Sequence, residues 1–157
     1  MNYTEEIGKI LLKKGWRIST VESCTGGLLS SCLTDVSGSS SYITLNLVTY
    51  ANEMKERMLG VVLDEQGAVS EGCAFQMAKG LYKLTGSDIC VSTTGIAGPN
   101  GGTEDKPVGL MYSTIYVKGD FKTYKILVPR DLSRIEIKTL FAKKVLENIY
   151  NYLQYGF

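Results

Sequence analysis

Arg17-Ile18-Ser19-Thr20-Val21 runs into Glu22-Ser23-Cys24-Thr25-Gly26-Gly27 and then into Leu28-Leu29-Ser30-Ser31-Cys32-Leu33. The first segment alternates and is rich in β-branched residues, as a strand requires, while Leu28, Leu29, Cys32 and Leu33 recur at the spacing of one helix face. Strand, tight turn and helix form the first half of a βαβ unit, so this stretch points to an α/β protein.

The flanking chain extends the pattern. Residues 4 to 15 carry Ile7, Ile10, Leu11 and Lys14 at helical spacing, with Thr4 as cap and Gly15 as stop. Tyr42 to Tyr50 reads as a strand, and Asn52 is placed to cap a short helix ending at Leu59-Gly60. Val69-Ser70-Glu71 opens a helix whose inner face is Ala74, Met77, Ala78, Leu81 and Leu84, before Gly86. Ile89 to Thr94 supplies a third strand, and Val108 to Val117 and Phe121 to Val128 form an antiparallel hairpin about Lys118-Gly119-Asp120. Asp131 or Ser133 opens a last helix with an apolar stripe of Ile137, Leu140, Phe141, Val145, Ile149 and Leu153. The expected fold is one domain over residues 1–157, a three-layer α/β/α sandwich with a mainly parallel sheet plus an antiparallel hairpin. In such sheets ligands lie beyond the carboxyl ends of the strands, where the loops after Val21, Val48 and Thr93 are expected to converge.

Composition narrows the function. The 157 residues are 44% hydrophobic, enough for one core, and 17 basic against 16 acidic residues leave a net charge of +1. That balance gives no electrostatic footprint for nucleic acid or a membrane surface, so a small-molecule partner is expected. Neither a membrane span nor a signal peptide is legible, and a cytoplasmic protein is the expectation. The four cysteines, Cys24, Cys32, Cys73 and Cys90, show no zinc or redox spacing and read as buried thiols. Histidine is absent, which removes the usual general base and the commonest transition-metal ligand. No metal and no cofactor are expected.

Three segments stand out chemically. Glu22 to Gly27 places a hydroxyl, Ser23, at a strand end and main-chain N–H groups at a helix start, which suits an anion or an oxyanion; Ser23 equally suits a plain helix cap. Gly95-Ile96-Ala97-Gly98-Pro99-Asn100-Gly101-Gly102-Thr103 follows a buried strand and lets backbone donors approach a ligand, though it also fits a long surface turn. It is neither a P-loop nor a dinucleotide fingerprint. Tyr50, Asn52, Glu53 and Lys55 collect a phenol, an amide, a carboxylate and an amine at a strand end, or else form a solvated helix tip. A lysine of lowered pKa can serve a serine as base, so a Ser/Lys hydrolase is chemically available without histidine.

Glu22 to Gly27, Thr34-Asp35 with Gly38-Ser39-Ser40, Val48-Thr49-Tyr50 with Asn52-Glu53 and Lys55, Gly67 to Glu71, and Gly95 to Pro99 through Lys106-Pro107-Val108-Gly109 resemble the CinA C-terminal domain family, which includes stand-alone nicotinamide mononucleotide deamidases. The match runs in order over nearly the whole chain. The resemblance implies hydrolysis of nicotinamide mononucleotide to nicotinate mononucleotide and ammonia by a metal-independent Ser/Lys dyad, in a homo-oligomer. On that resemblance Lys55 is the base, Tyr50 orients or relays, and Ser23 or Ser40 is the nucleophile. Thr25, Gly26 and Gly27, with Gly95, Ala97, Gly98, Gly101 and Gly102, would supply donors to phosphate or oxyanion; Asn52 and Glu53 would contact substrate. Arg130 and Arg134 would clamp phosphate. The rival expectation is a non-catalytic nucleotide-binding module that acts through a protein partner.

Overall fold

Ile18–Glu22 is buried along its whole length and forms β1, the strand on which the sheet is organised. The computed structural model describes residues 1–157. Tyr3–Lys14 (α1) precedes β1 and is capped by Asn2, whose side chain accepts from the Glu5 amide, rather than by Thr4. Leu28–Thr34 (α2) leads through a 3-10 turn at Ser39–Ser41 to Ile43–Val48 (β2). Asn52–Leu59 (α3) and Glu71–Thr85 (α4) follow, then Ile89–Ser92 (β3), Thr94–Gly95 (β4), Leu110–Val117 (β5), Asp120–Leu127 (β6) and Arg134–Tyr155 (α5). Ser133, not Asp131, caps α5, through a capping box with Glu136.

β1 pairs in parallel with β2 on one side and β3 on the other, so the chain winds outward in both directions from β1. β5 runs antiparallel to β3, β4 and β6, and is the one strand reversed against the rest. The third strand expected over Ile89 to Thr94 is divided at Thr93. Thr93 still donates its N–H to Val21 O of β1 at 3.1 Å, and the chain then crosses to pair with β5. Gly95, expected in the loop, is therefore part of the sheet. A Cβ there would meet Leu110 O at 2.6 Å and Met111 Cα at 2.8 Å.

Two apolar cores give the three layers. One face of the sheet packs Ile18, Ile89, Val91, Met111 and Ile115 against Ile7, Leu11, Leu29, Ile137, Phe141 and Ile149 of α1, α2 and α5. The opposite face packs Val21, Cys90 and Tyr116 against Leu59, Cys73, Met77 and Leu81 of α3 and α4. Each such side chain, withdrawn fully from water, stabilises the fold by about 1.5–3 kcal/mol. No helix is long and apolar enough to cross a membrane.

Candidate active site

Helix α2 starts on Gly27, which is in the left-handed region and offers no side-chain cap. The carboxylate of Glu22, the last residue of β1 and fully buried, satisfies that helix start instead. Its Oε1 accepts from Thr25 Oγ1 at 2.5 Å, Gly27 N at 3.3 Å and Leu29 N at 2.9 Å. Its Oε2 accepts from Ser30 N at 2.9 Å and Ser30 Oγ at 2.5 Å. Gly26 N meanwhile donates to Ser23 O at 3.0 Å. The expectation that Gly26 and Gly27 present main-chain donors to a ligand is thereby corrected, because both glycine amides are engaged within the turn; of Thr25 only the hydroxyl is so engaged. The N–H groups of Cys24 and Thr25 remain, with no protein acceptor. The sequence expectation of an open anion site at this helix start leaves Glu22 without a role; a carboxylate ending a strand just before an uncapped helix is the signal that marks it.

The loops after β1, β2 and β3 do converge. They enclose a cavity of about 280 Å³ lined by Ser23 and Cys24, by Tyr50, Asn52 and Lys55, and by Thr94, Gly95 and Ile96. Ala68, Val69, Asn100, Gly101 and Arg134 complete it. This is the crevice beyond the carboxyl ends of strands that wind away on either side of β1.

Lys55 sets its chemistry. The residue is 1% exposed, its Nζ donates to Tyr50 O at 2.9 Å, and no carboxylate forms an ion pair with it. Burial lowers its pKa below the ordinary lysine value, opposed weakly by the neighbouring Cys73 and Cys24. Ser23 is buried at the cavity wall with its N–H on Thr93 Oγ1 at 3.3 Å, and its hydroxyl engages no protein group. Cys24 is inert by contrast, because burial pushes its thiol up to about 12. Iodoacetamide at pH 8 should leave Cys24 unmodified in the native protein, as peptide mass spectrometry would show; rapid labelling would contradict the burial argument.

Other expected site residues separate. Ser40 lies in the 3-10 turn before β2, at the end of the sheet where the parallel strands begin, and its carbonyl accepts from Arg17 there. That is the opposite end from Lys55, so Ser40 is outside the pocket. Glu53 is exposed and paired with Arg57 at 3.3 Å, not turned to the cavity. Asn52 lines the cavity but does not cap α3, whose cap position is Ala51. Ala97 is in the core. The carbonyl of Gly98 accepts from Arg134 Nη1 at 2.6 Å, while Arg134 Nη2 donates to Tyr50 Oη at 3.1 Å. Arg134 therefore joins two walls of the pocket. Arg130 stands apart from it, in a second hollow of about 630 Å³ with Gly101 and Gly102; Asn100 and Gly101 line both hollows. The amides of Asn100, Gly101 and Gly102 have no protein acceptor. No group of three or more His, Cys, Asp or Glu side chains is placed to hold a metal ion.

Fold and site together define a doubly wound α/β domain with a lysine and a serine in a strand-end crevice. The CinA C-terminal domain family model matches residues 1–153, and the chain belongs to that family. A CinA-like protein of Shewanella pealeana is 49% identical over 129 residues, which cover 80% of this chain and 30% of that protein. A putative competence-damage inducible protein of Clostridium perfringens is 46% identical over 139 residues, 87% of this chain and 34% of that one. The chain thus spans about a third of the length of these relatives. Among solved structures, a competence/damage inducible protein from Agrobacterium tumefaciens superposes with a TM-score of 0.87 at 36% identity, covering 95% of this chain and 94% of that one. A competence damage-inducible protein A from Klebsiella pneumoniae gives a TM-score of 0.92 at 28% identity, covering 98% and 96%.

Proposed function

We propose that the chain is an amidohydrolase of pyridine-nucleotide salvage that converts nicotinamide mononucleotide to nicotinate mononucleotide and ammonia, with Ser23 as nucleophile and Lys55 as base. The observation that carries this reading is a buried, unpaired Lys55 amine of lowered pKa sharing one small cavity with the unengaged Ser23 hydroxyl. Neutral Lys55 takes the Ser23 proton as Oγ adds to the carboxamide carbon. The resulting oxyanion is received by the free N–H groups of Cys24 and Thr25. Lys55 then protonates the departing nitrogen, ammonia leaves, and an acyl-serine ester remains. Water adds to the ester carbon, giving a proton to Lys55, and cleavage of the C–O bond returns that proton to Ser23. The free amides of Asn100, Gly101 and Gly102, with Arg130 and Arg134, offer donors for the phosphate.

Substituting the two serines separately tests the assignment. Ser23→Ala should lower ammonia release by about 10³-fold or more, whereas Ser40→Ala should leave it within about twofold of wild type. The reverse ranking would move the nucleophile to Ser40. Binding of the nucleotide without ammonia release by the unaltered chain would replace the enzyme with a binding module.

A further inference from the structure

Three buried side-chain oxygens in the protein have no hydrogen-bond partner: Tyr42 Oη, Thr49 Oγ1 and Ser113 Oγ. Tyr42 Oη lies against Gly8 of α1, where an added Cβ would stand 2.6 Å away, and Ser113 is in the middle of β5. Thr49 alone adjoins the site. It is 0% exposed, and its N–H is pinned to Glu22 O at 2.9 Å, so its backbone is fixed to the end of β1. The next carbonyl along, Tyr50 O, is the acceptor that holds the Lys55 amine. Strand alternation places Thr49 on the face of Leu45 and Leu47, which pack with Leu59, Val61 and Cys73, and Cys73 is also a neighbour of Lys55. A hydroxyl kept there without a partner carries a desolvation cost that an apolar isostere would avoid.

We propose that Thr49 is a positioning residue for Lys55: when substrate binds, Thr49 Oγ1 accepts the second N–H of the amine. Tyr50 O and Thr49 Oγ1 then hold both amine hydrogens of the neutral base, and its lone pair is left directed at Ser23. Hydrogen bonds of this kind are often long before substrate arrives and tighten in the complex. The other titratable or charged groups facing Lys55 are Cys24 from the β1 turn and Cys73 from α4, and Arg134 stands in the cavity wall. None of these supplies a carboxylate acceptor. The inference rests on the Ser23/Lys55 reading.

Thr49→Val, with Thr49→Ser as its conservative partner, decides it in the full chain. Two measurements are made against pH: ammonia release from nicotinamide mononucleotide, and acylation of Lys55 by acetic anhydride followed by peptide mass spectrometry with the nucleotide present. An oxygen acceptor favours the charged amine, so its loss should move both the acid limb of kcat and the Lys55 acylation midpoint to lower pH. Thr49→Val should also lower kcat about tenfold with KM within about twofold, and Thr49→Ser should restore both. Thr49→Cys replaces Thr49→Val should the latter not fold. Unchanged kcat, pH profile and acylation midpoint in the oxygen-free variant would overturn the role of Thr49. Absence of ammonia release from wild type would overturn the deamidase reading instead, and the acylation midpoint would still decide whether Thr49 acts on Lys55.

Discussion

Lys55→Met should reduce ammonia release by about 10³-fold or more while the protein remains folded, because the substitution keeps an unbranched apolar stem and removes only the amine. Circular dichroism and thermal unfolding check the fold; a coupled ammonia assay checks the rate. Wild-type activity should rise with pH as Lys55 deprotonates, at a pH below the ordinary lysine value of 10.5. The same titration has a signature in stability. Between the lowered folded pKa and 10.5 the unfolded chain binds the extra proton, so wild-type stability rises with pH through that window, levels off above it, and is lower throughout on the acid side. Measured against Lys55→Met, which lacks the group, this slope should stand alone. A flat difference across alkaline pH, or a Met variant that still releases ammonia, would remove Lys55 from the mechanism.

Glu22→Ala should destabilise the fold by about 3 kcal/mol or more, since it strands buried donors that the carboxylate now satisfies. Gly27 N, Leu29 N and Ser30 N lose their acceptor together, Thr25 Oγ1 and Ser30 Oγ are left with Thr93 Oγ1 and Thr20 Oγ1 alone, and α2 loses its only cap. Urea unfolding should show the loss directly. Glu22→Gln, which replaces one acceptor oxygen by a donor facing other donors, should fall between. If Glu22→Ala unfolds at the wild-type urea concentration, the carboxylate is not what fixes the turn that carries Ser23.

The alternation of residues 17 to 21 and the helical spacing beyond Gly27 were enough to read β1 and α2, and the Lys118-Gly119-Asp120 turn was enough to read the β5–β6 hairpin. These are local patterns, set by neighbours a few residues away. Convergence of three loops at the strand ends followed from the α/β class alone. What the sequence hid depends on distance through space. Ser40 is near Lys55 in number but at the other end of β2, because a strand carries the chain across the whole sheet. Arg134 meets Tyr50 across 84 positions, and Arg130, one helical turn away in number, faces a different hollow. Glu22 looks like any polar strand end until its five donors are seen around it. Ala97 stands between glycines in the sequence, and only the folded chain shows its side chain in the core.

The reversed strand β5 makes the site depend on pairings made at very different distances along the chain. Ser23 and Lys55 belong to the early parallel half of the chain, but the opposite wall at Thr94 and Gly95 exists only where β4 pairs with Tyr112 and Met111 of β5. Arg134, which ties that wall to Tyr50, comes later still. The β1–β2 pairing can therefore bring Ser23 and Lys55 near one another with no cavity yet closed around them. β4 meets β5 over only 16 to 18 positions, whereas β1 meets β3 over 71 and Arg134 meets Tyr50 over 84, so joining the two walls, and not pairing β4 with β5, closes the longest loops. In a nascent or refolding chain, ligand binding would report completion of the sheet rather than the presence of Ser23 and Lys55.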